Sequence, residues 1–534
     1  MREKYSMLAI LAIVLIVGTA MVVPGCITNG SPSNTPASTT PTVAPSDGPK
    51  AGGTLKMAYG ELVPDLSPYN GFFTGHFGIY ETLFYFDENM ALQPGLATKY
   101  EAINDTAYRI TLRQGVKFQD GSLMNADAVV LSLNKLISAD NPNRAKYDFI
   151  DTVYKDSDNS VIIKTKTTYA PTIASLTLKD SSILSPNTKD PLNAPIGTGP
   201  FKVSSFTPKV SLSVVRFDDY WGGKPYLDGA VFQFSEDEQS RVYMVENNEV
   251  DMTHWFAVTK DTMASLSNNK NVQLVGKEAP AIWYLLLNTK KAPLNDVNVR
   301  QAIDYAISRD QVVEVGTGSF KEPAMGIFPP SSPWASKSLN GHAYNQQKAK
   351  DLLAKAGLKD TNGDGWLDYN GNTVELNIMT YDFDILKPSI EVMQQQLQAV
   401  GIKTTLKVGG YSAGWDAVKK GDFDLWFDYA RVLFTGDPDS ILYSLLAYSD
   451  AKAPKSAGYS SPEMDSLIQS GRTTIDESQR HVIYDKIQQK ILDDTYIIPV
   501  LYDVESYAIN NRVGGFKAYP TGNKLVTKDM YIKQ

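Results

Sequence analysis

The chain has 534 residues, with 51 Lys and Arg against 59 Asp and Glu, 43% apolar residues and one cysteine. That length allows about three domains at roughly 100–200 residues each, and the composition excludes a disordered or collagen-like chain. A net charge of −8 without any Lys/Arg block argues against a nucleic-acid partner, and a single thiol excludes a disulfide framework or a cysteine-rich metal centre.

The N-terminus reads as an export signal. Arg2 and Lys4 precede an uninterrupted apolar and small-residue run from Met7 to Val23, about 26 Å as a helix and marginal for a span of roughly 30 Å. Cys26 follows directly, behind Val23-Pro24-Gly25. A small residue before a lone cysteine resembles a lipobox, so residues 1–25 are expected to be a signal peptide and Cys26 the lipidation site. Pro24 departs from the usual pattern, and an uncleaved signal anchor is the competing reading. From 26 to 50 the chain is the cysteine plus a Ser/Thr/Pro-rich stretch with almost nothing to bury, a linker.

Beyond Gly53, strand and helix patterns alternate. Leu55–Tyr59, Tyr108–Leu112, Val161–Thr165, Leu212–Phe217 and Val231–Phe234 read as short strands. Asn125 is placed to cap a helix with Val129, Leu133, Leu136 and Ile137 on one face. After Asp296, the residues Val299, Ala302, Ile303, Ala306 and Ile307 form a helical stripe. Gln347–Ala356 is a second such helix, with Gly357 as its stop. Strand Val374–Thr380, helix Ser389–Val400 and strand Ile402–Lys407 make a βαβ unit, which implies a parallel pair. A long helix near Glu477–Leu492 precedes the strand Ile497–Leu501. The fold class is α/β, and no internal repeat is evident.

Enzyme signatures are absent: no Walker A sequence, no Gly-x-Ser-x-Gly elbow, no His-Glu-x-x-His. His76, His254, His342 and His481 are scattered, and none has a second histidine at ligand spacing. No catalytic residue and no cofactor is assigned. Asp360, Asn362, Asp364 and Asp368 occupy positions 1, 3, 5 and 9 of a calcium-type loop, but Gly371 stands where a bidentate Glu belongs. A polar Asn-Gly/Asp-Gly turn is the preferred reading.

Nine segments then match one family in order. They are Gly53-Thr-Leu, Ile79-Tyr-Glu-Thr-Leu83, Leu92-Gln-Pro-Gly-Leu-Ala97, Leu112 to Gly121, Asn125-Ala-Asp-Ala-Val129, Gly197-Thr-Gly-Pro-Phe201, Asp219 to Asp228, Leu287-Asn288 with Val299 to Ile303, and Ala349 to Gly357. The chain resembles the family 5 extracellular solute-binding proteins, receptors for oligopeptides, dipeptides or nickel in ABC importers. The resemblance implies a two-lobed, periplasmic-binding-protein-like fold of type II, in its large peptide-binding class, with a ligand cleft between lobes. It assigns 51–287 and 502–534 to lobe one, with an inserted subdomain at roughly 80–200, and 288–501 to lobe two. It also implies a non-enzymatic, monomeric receptor, lipid-anchored on the outer face of the membrane. Such a receptor hands a peptide or small solute to ABC permease subunits that work with a separate ATPase. A nickel-chelate receptor is the alternative within the family, and a surface-tethered hydrolase the rival outside it.

For the ligand, the resemblance points to Phe423–Tyr443. Peptide-binding relatives carry an acid three positions before the Asp-Pro turn; here that position is Phe434, so Asp437 or Asp428 would have to hold a ligand amine. Arg431 suits a ligand carboxylate, with Trp415, Tyr429 and Phe434 as an apolar wall and Tyr69, Phe72 and Phe73 lining the cleft from the first lobe.

Overall fold

The computed structural model describes residues 48–69, 77–254, 258–433, 435–446, 458–522 and 524–533. The expected Cys26, Phe72, Phe73 and Phe434 contributions therefore lie outside the described residues, as do the signal and most of the linker.

Two strands are far longer than the rest, Val272–Leu287 and Ile497–Asn510, and they pair antiparallel along most of their length. On one side Ile497–Asn510 is followed in the main sheet by Met252–His254, Thr54–Tyr59, Gly229–Phe234, Ser211–Arg216 and Phe201–Thr207. On the other side Val272–Leu287 is followed by Leu425–Arg431, Glu375–Tyr381 and Lys403–Gly409. One sheet thus serves both lobes. The first lobe packs Leu55, Met57, Phe232 and Ile509 into its core. The second packs Val299, Ile303, Ile390 and Leu397 on one face of the sheet and Ile282, Trp426 and Ile487 on the other. A separate four-stranded sheet, Ala97–Asn104, Ala107–Leu112, Ser160–Thr165 and Ile150–Ser157, adjoins the first lobe and is covered by the helix Ala126–Leu136.

Local chemistry accounts for the elements. Asn125 Oδ1 accepts from the Ala128 amide at 3.0 Å, and Asp296 Oδ1 from Asn298 at 2.7 Å, so both helices start where a capping side chain meets an orphan donor. Gly357 holds φ +84° just past the helix Gln346–Lys355, the left-handed stop that a glycine adopts without steric cost. Glu375–Tyr381, Leu386–Gln398 and Lys403–Gly409 form the expected βαβ unit with parallel strands.

Ile497–Leu501 differs from expectation by continuing to Asn510. Asp503, Glu505 and Ser506 hide the continuation by interrupting the apolar pattern, but they are buried. Asp503 is ion-paired with Lys321 and accepts from the Trp283 indole at 3.2 Å, which makes a charged residue tolerable inside a strand. The pairing of the two long strands slips between Glu278 and Ile282. Beyond the slip Trp283, Leu285 and Leu287 belong to the second-lobe core.

Four of the motif segments tie one knot. Gln119 Nε2 donates to the carbonyls of Ile79 (2.9 Å), Gly199 (3.2 Å) and Phe201 (2.7 Å), while its Oε1 accepts from the Gly197 amide. Buried Glu81 accepts from Tyr220 Oη at 2.6 Å, Trp221 Nε1 at 2.7 Å and Thr198 Oγ1 at 2.8 Å. The chains approach so closely that a Cβ on Gly197 would lie 2.1 Å from Ile79 O. Gly197→Ala is therefore expected to cost about 3 kcal/mol or more, since backbone itself must move. Gly409→Ala, which faces open space, should be near neutral; denaturant midpoints of the two variants check this.

Candidate functional site

A cavity of about 400 Å³ lies where the first lobe, the long strand Ile497–Asn510 and the end of Leu425–Arg431 meet. That volume is within the range of small-ligand pockets. Its walls divide into two groups of side chains.

In the first group are Tyr59, Glu61, Lys179, His254, Arg431 and Glu505. Tyr59, His254 and Arg431 end their strands and Glu61 follows one, Glu505 lies inside Ile497–Asn510, and Lys179 opens the short 3-10 helix Lys179–Ser181. The Arg431 guanidinium faces Glu505 Oε1 at 3.4 Å, an ion pair without hydrogen-bond geometry, and its Nη1 donates to Thr521 O at 3.4 Å. Burial pushes the Glu505 carboxyl up to about 7, although Arg431 pulls the other way, and Asp503 adds to the rise. Burial likewise pushes Glu61 up to about 7 against the Tyr59 hydroxyl, which donates to it at 3.2 Å. His254 stacks on Tyr59 with ring centroids 5.0 Å apart; burial, reinforced by Arg241 and Arg431, lowers it to about 3, so its ring is neutral. Its Nδ1 has no hydrogen-bond partner among the described residues.

In the second group Tyr85, Phe86, Tyr220, Trp221, Tyr519 and Lys524 supply an aromatic wall carrying one ammonium. The buried Glu81 knot fixes Tyr220 and Trp221 here, and Arg113 lies 4.4 Å over the Trp221 ring.

Among the described residues, the segment leaving the strand Leu425–Arg431 meets the first lobe and the C-terminal stretch through Arg431, Gly436 and Asp439. Arg431 meets Glu505 and Thr521. Gly436, at φ +68°, lies so close to Phe86 that a Cβ would sit 2.1 Å from its ring. Asp439 accepts from Tyr169 Oη at 2.8 Å and pairs with Arg472 at 3.0 Å. The Ala170 amide donates to Arg472 O at 2.8 Å beside it. From its own side the segment is held by Trp334 Nε1 donating to Gly436 O and by Arg480 on Asp437.

Of the residues expected from sequence, Arg431 lines this cavity. Asp437 does not: both its oxygens lie 2.8 Å from Arg480 Nη2, so it is committed to a structural ion pair. Trp415 packs edge-on to Trp426 in the second-lobe core, and Tyr429 lies against Trp283 at 5.0 Å. Asp428 is 1% exposed, beneath those aromatic rings, with its pKa raised to about 6 by burial. Tyr69 lines a smaller cavity with Ser132 and Leu184 and gives up its carbonyl to Asn143 Nδ2. In the 360–368 loop, Asp360 accepts from the amides of Gly363 and Gly365, Asp364 from Trp366, and Asp368 from Thr361 and Thr373, the pattern of a polar turn. Among the described residues no group of three His, Cys, Asp or Glu is arranged to hold a metal.

Glu505, Glu61, His254 and Lys524 were not among the expected residues. The available signal was Asp503-x-Glu505, two acids on alternate positions of an otherwise apolar strand, since buried charge without apparent partners points to a site.

A sequence model of the bacterial extracellular solute-binding proteins, family 5 (middle region), matches residues 91–453. The glutathione-binding protein GsiB of Salmonella paratyphi A is 28% identical over 463 residues, covering 83% of this chain and 86% of that protein. The dipeptide-binding protein of Escherichia coli K12 is 27% identical over 465 residues, covering 80% and 84%. Among solved structures, NikA from Brucella suis in complex with Fe(III)-EDTA superposes with a TM-score of 0.81 at 23% identity, covering 90% of this chain and all of that one. The oligopeptide-binding protein AppA from Bacillus subtilis, in complex with a nonapeptide, gives 0.73 at 24% identity, covering 91% of this chain and all of that one.

A folded-state pKa raised above the usual carboxylate value means that the native chain binds protons more tightly than the unfolded one. Glu505 thus favours folding at low pH, and that contribution is lost as pH rises from about 4.5 through about 7. Glu505→Gln should therefore gain stability relative to the parent across this window, reaching roughly 3 kcal/mol by pH 8. Denaturant melts of the pair at pH 5 and pH 8 check it; a pH-independent difference would contradict it.

Proposed function

The chain belongs to the bacterial extracellular solute-binding proteins of family 5, and from that footing we propose that it captures a short peptide or peptide-like solute outside the cell membrane and delivers it to the permease of an ABC importer. The observation that carries this reading is a cavity bearing both signs of charge beside an aromatic wall. Glu61 and Glu505 suit an ammonium, Arg431 and Lys524 suit carboxylates, and Tyr85, Trp221 and Tyr519 suit the apolar part of a zwitterion. Relatives named for glutathione and for dipeptides, each matched over four-fifths of this chain or more, support the same class.

The protein works by binding and not by turnover. The division between lobes is proposed at the slip in the long-strand pairing between Glu278 and Ile282, against the 287/288 and 501/502 boundaries expected from sequence. Arg431 serves the solute together with Glu505, as a charge pair presented to the cavity. A nickel chelate is the second reading, favoured by the neutral ring of His254 on the cavity wall.

Mass spectrometry of small molecules released by denaturing the purified protein tests this, followed by calorimetry with di- and tripeptides, glutathione and nickel–histidine. Retained peptide-like solute and binding without hydrolysis products are expected. Steady cleavage of a peptide panel would establish the hydrolase instead, and binding of the nickel complex alone would establish the second reading.

Attachment through a lipid on Cys26 is part of the same proposal. It is supported by the place of this single cysteine after an apolar run and before a polar leash. Among the described residues no helix is long and apolar enough to cross a membrane. Cys26→Ser is expected to block processing and shift the body out of its lipidated membrane form. Unchanged mass and membrane association would mean that the apolar run remains as an anchor.

A further inference from the structure

Lys524 lies in the C-terminal stretch beyond the strands Ile497–Asn510 and Val513–Gly514, and its side chain lines the same cavity as Arg431. Its Nζ lies 3.3 Å from the ring centroid of Tyr85 and 4.9 Å from that of Tyr519. Those contacts are with π faces. Among the described residues no oxygen takes a hydrogen bond or an ion pair from this ammonium, which has three N–H donors to place.

The acids whose field reaches it are already engaged. Glu81 accepts from Tyr220, Trp221 and Thr198. Glu88 takes Lys517 at 3.1 Å, and Asp87 takes the amides of Asn89 and Ala91 and the side chain of Gln93. The other cations on the cavity wall have partners: Arg431 has Glu505, Lys528 has Asp529 at 2.5 Å, and Lys179 is not free either. Burial lowers Lys524 to about 8, so it stays charged at neutral pH yet lacks the oxygen that would stabilise that charge. An aromatic wall would hold apolar matter, but a half-buried ammonium within it favours an anion beside that matter.

We propose that Lys524 is the cavity's specificity-determining cation, taking the carboxylate of the captured solute while Tyr85 and Tyr519 receive the apolar group beside it. The inference rests on the peptide reading above. It narrows that reading to solutes that carry a carboxylate next to an apolar or aromatic group, the carboxylate coming from the C-terminus or from an acidic side chain.

The test is calorimetry on the full mature chain, comparing the parent with Lys524→Met, Lys524→Gln and Lys524→Arg. Three probes are used: the tripeptide Ala-Phe-Ala, its C-terminal amide, and Ala-Glu-Ala amide, which has only a side-chain acid. Lys524→Met is expected to weaken an acid-bearing probe tenfold or more and to leave the Ala-Phe-Ala amide within twofold, with Lys524→Arg restoring part of the loss. Which acid-bearing probe responds identifies the source of the carboxylate. Lys524→Gln gives the same comparison if the Met variant fails to fold, and matching thermal melts exclude a general loss of structure. Loss of equal size on acid and amide, or no loss on either acid, would overturn the proposal. If no peptide binds the parent, the peptide reading fails. Ligand-observed NMR with 3-phenylpropionate against 3-phenylpropionamide then tests Lys524 by itself: acid-selective binding that disappears in Lys524→Met supports it, and no such binding overturns it.

Discussion

The antiparallel pairing of Val272–Leu287 with Ile497–Asn510 is the constraint on which the rest of the molecule depends. Both strands run from one lobe into the other, so each lobe inherits its sheet from the same two chains. Where they pass through the interior they carry polar groups that must be satisfied locally, and these set the chemistry nearby. Asp503 is neutralised by Lys321 and tied to Trp283, whereas two residues on Glu505 opens toward the cavity and Arg431. Alternation along a strand sends side chains at 503, 505 and 507 to one face; Tyr507 is the third, packed in the first-lobe core. One face of one strand therefore supplies a structural ion pair, a cavity carboxylate and a core ring in succession.

Much of the fold was legible in the sequence, because its signals are local. The capping carboxamide of Asn125, the stripe after Asp296 and the strand–helix–strand from Glu375 to Gly409 are each set within a few turns of chain. The motif segments were legible for another reason. Gly197, Gln119, Glu81, Tyr220 and Trp221 hold one another at distances that few other residue types fit, so they mark the architecture and leave the solute unspecified. The length of Ile497–Asn510 was not legible, since its buried acids look like a strand end until Lys321 and Arg431 are brought against them.

The site was mostly hidden. Its side chains come from near 60, 85, 179, 220, 254, 431, 505 and 520, and no spacing rule relates residues so far apart. Arg431 was found because it sits in a segment rich in aromatics and acids. Asp437, from that same segment, serves the second lobe's interior, because the turn after the strand sends it away from the cavity, and Trp415, on the preceding helix Tyr411–Lys420, packs there too. Asp437 shows the limit of such reading: its acidity is real, but Arg480 from a distant helix has taken it.

One stretch of chain, from Arg431 to Asp439, both contributes a charged wall to the cavity and rests on Phe86 and Tyr169 across from it. Solute recognition and lobe apposition are thereby coupled through this one stretch, whose Gly436 and Asp437 are fastened from behind by Trp334 and Arg480. Observed affinity is then the product of an intrinsic contact constant and the equilibrium of apposition. Substitutions at the outer rim, far from any solute atom, would rescale affinity for every solute by a common factor and leave the preference order among them unchanged.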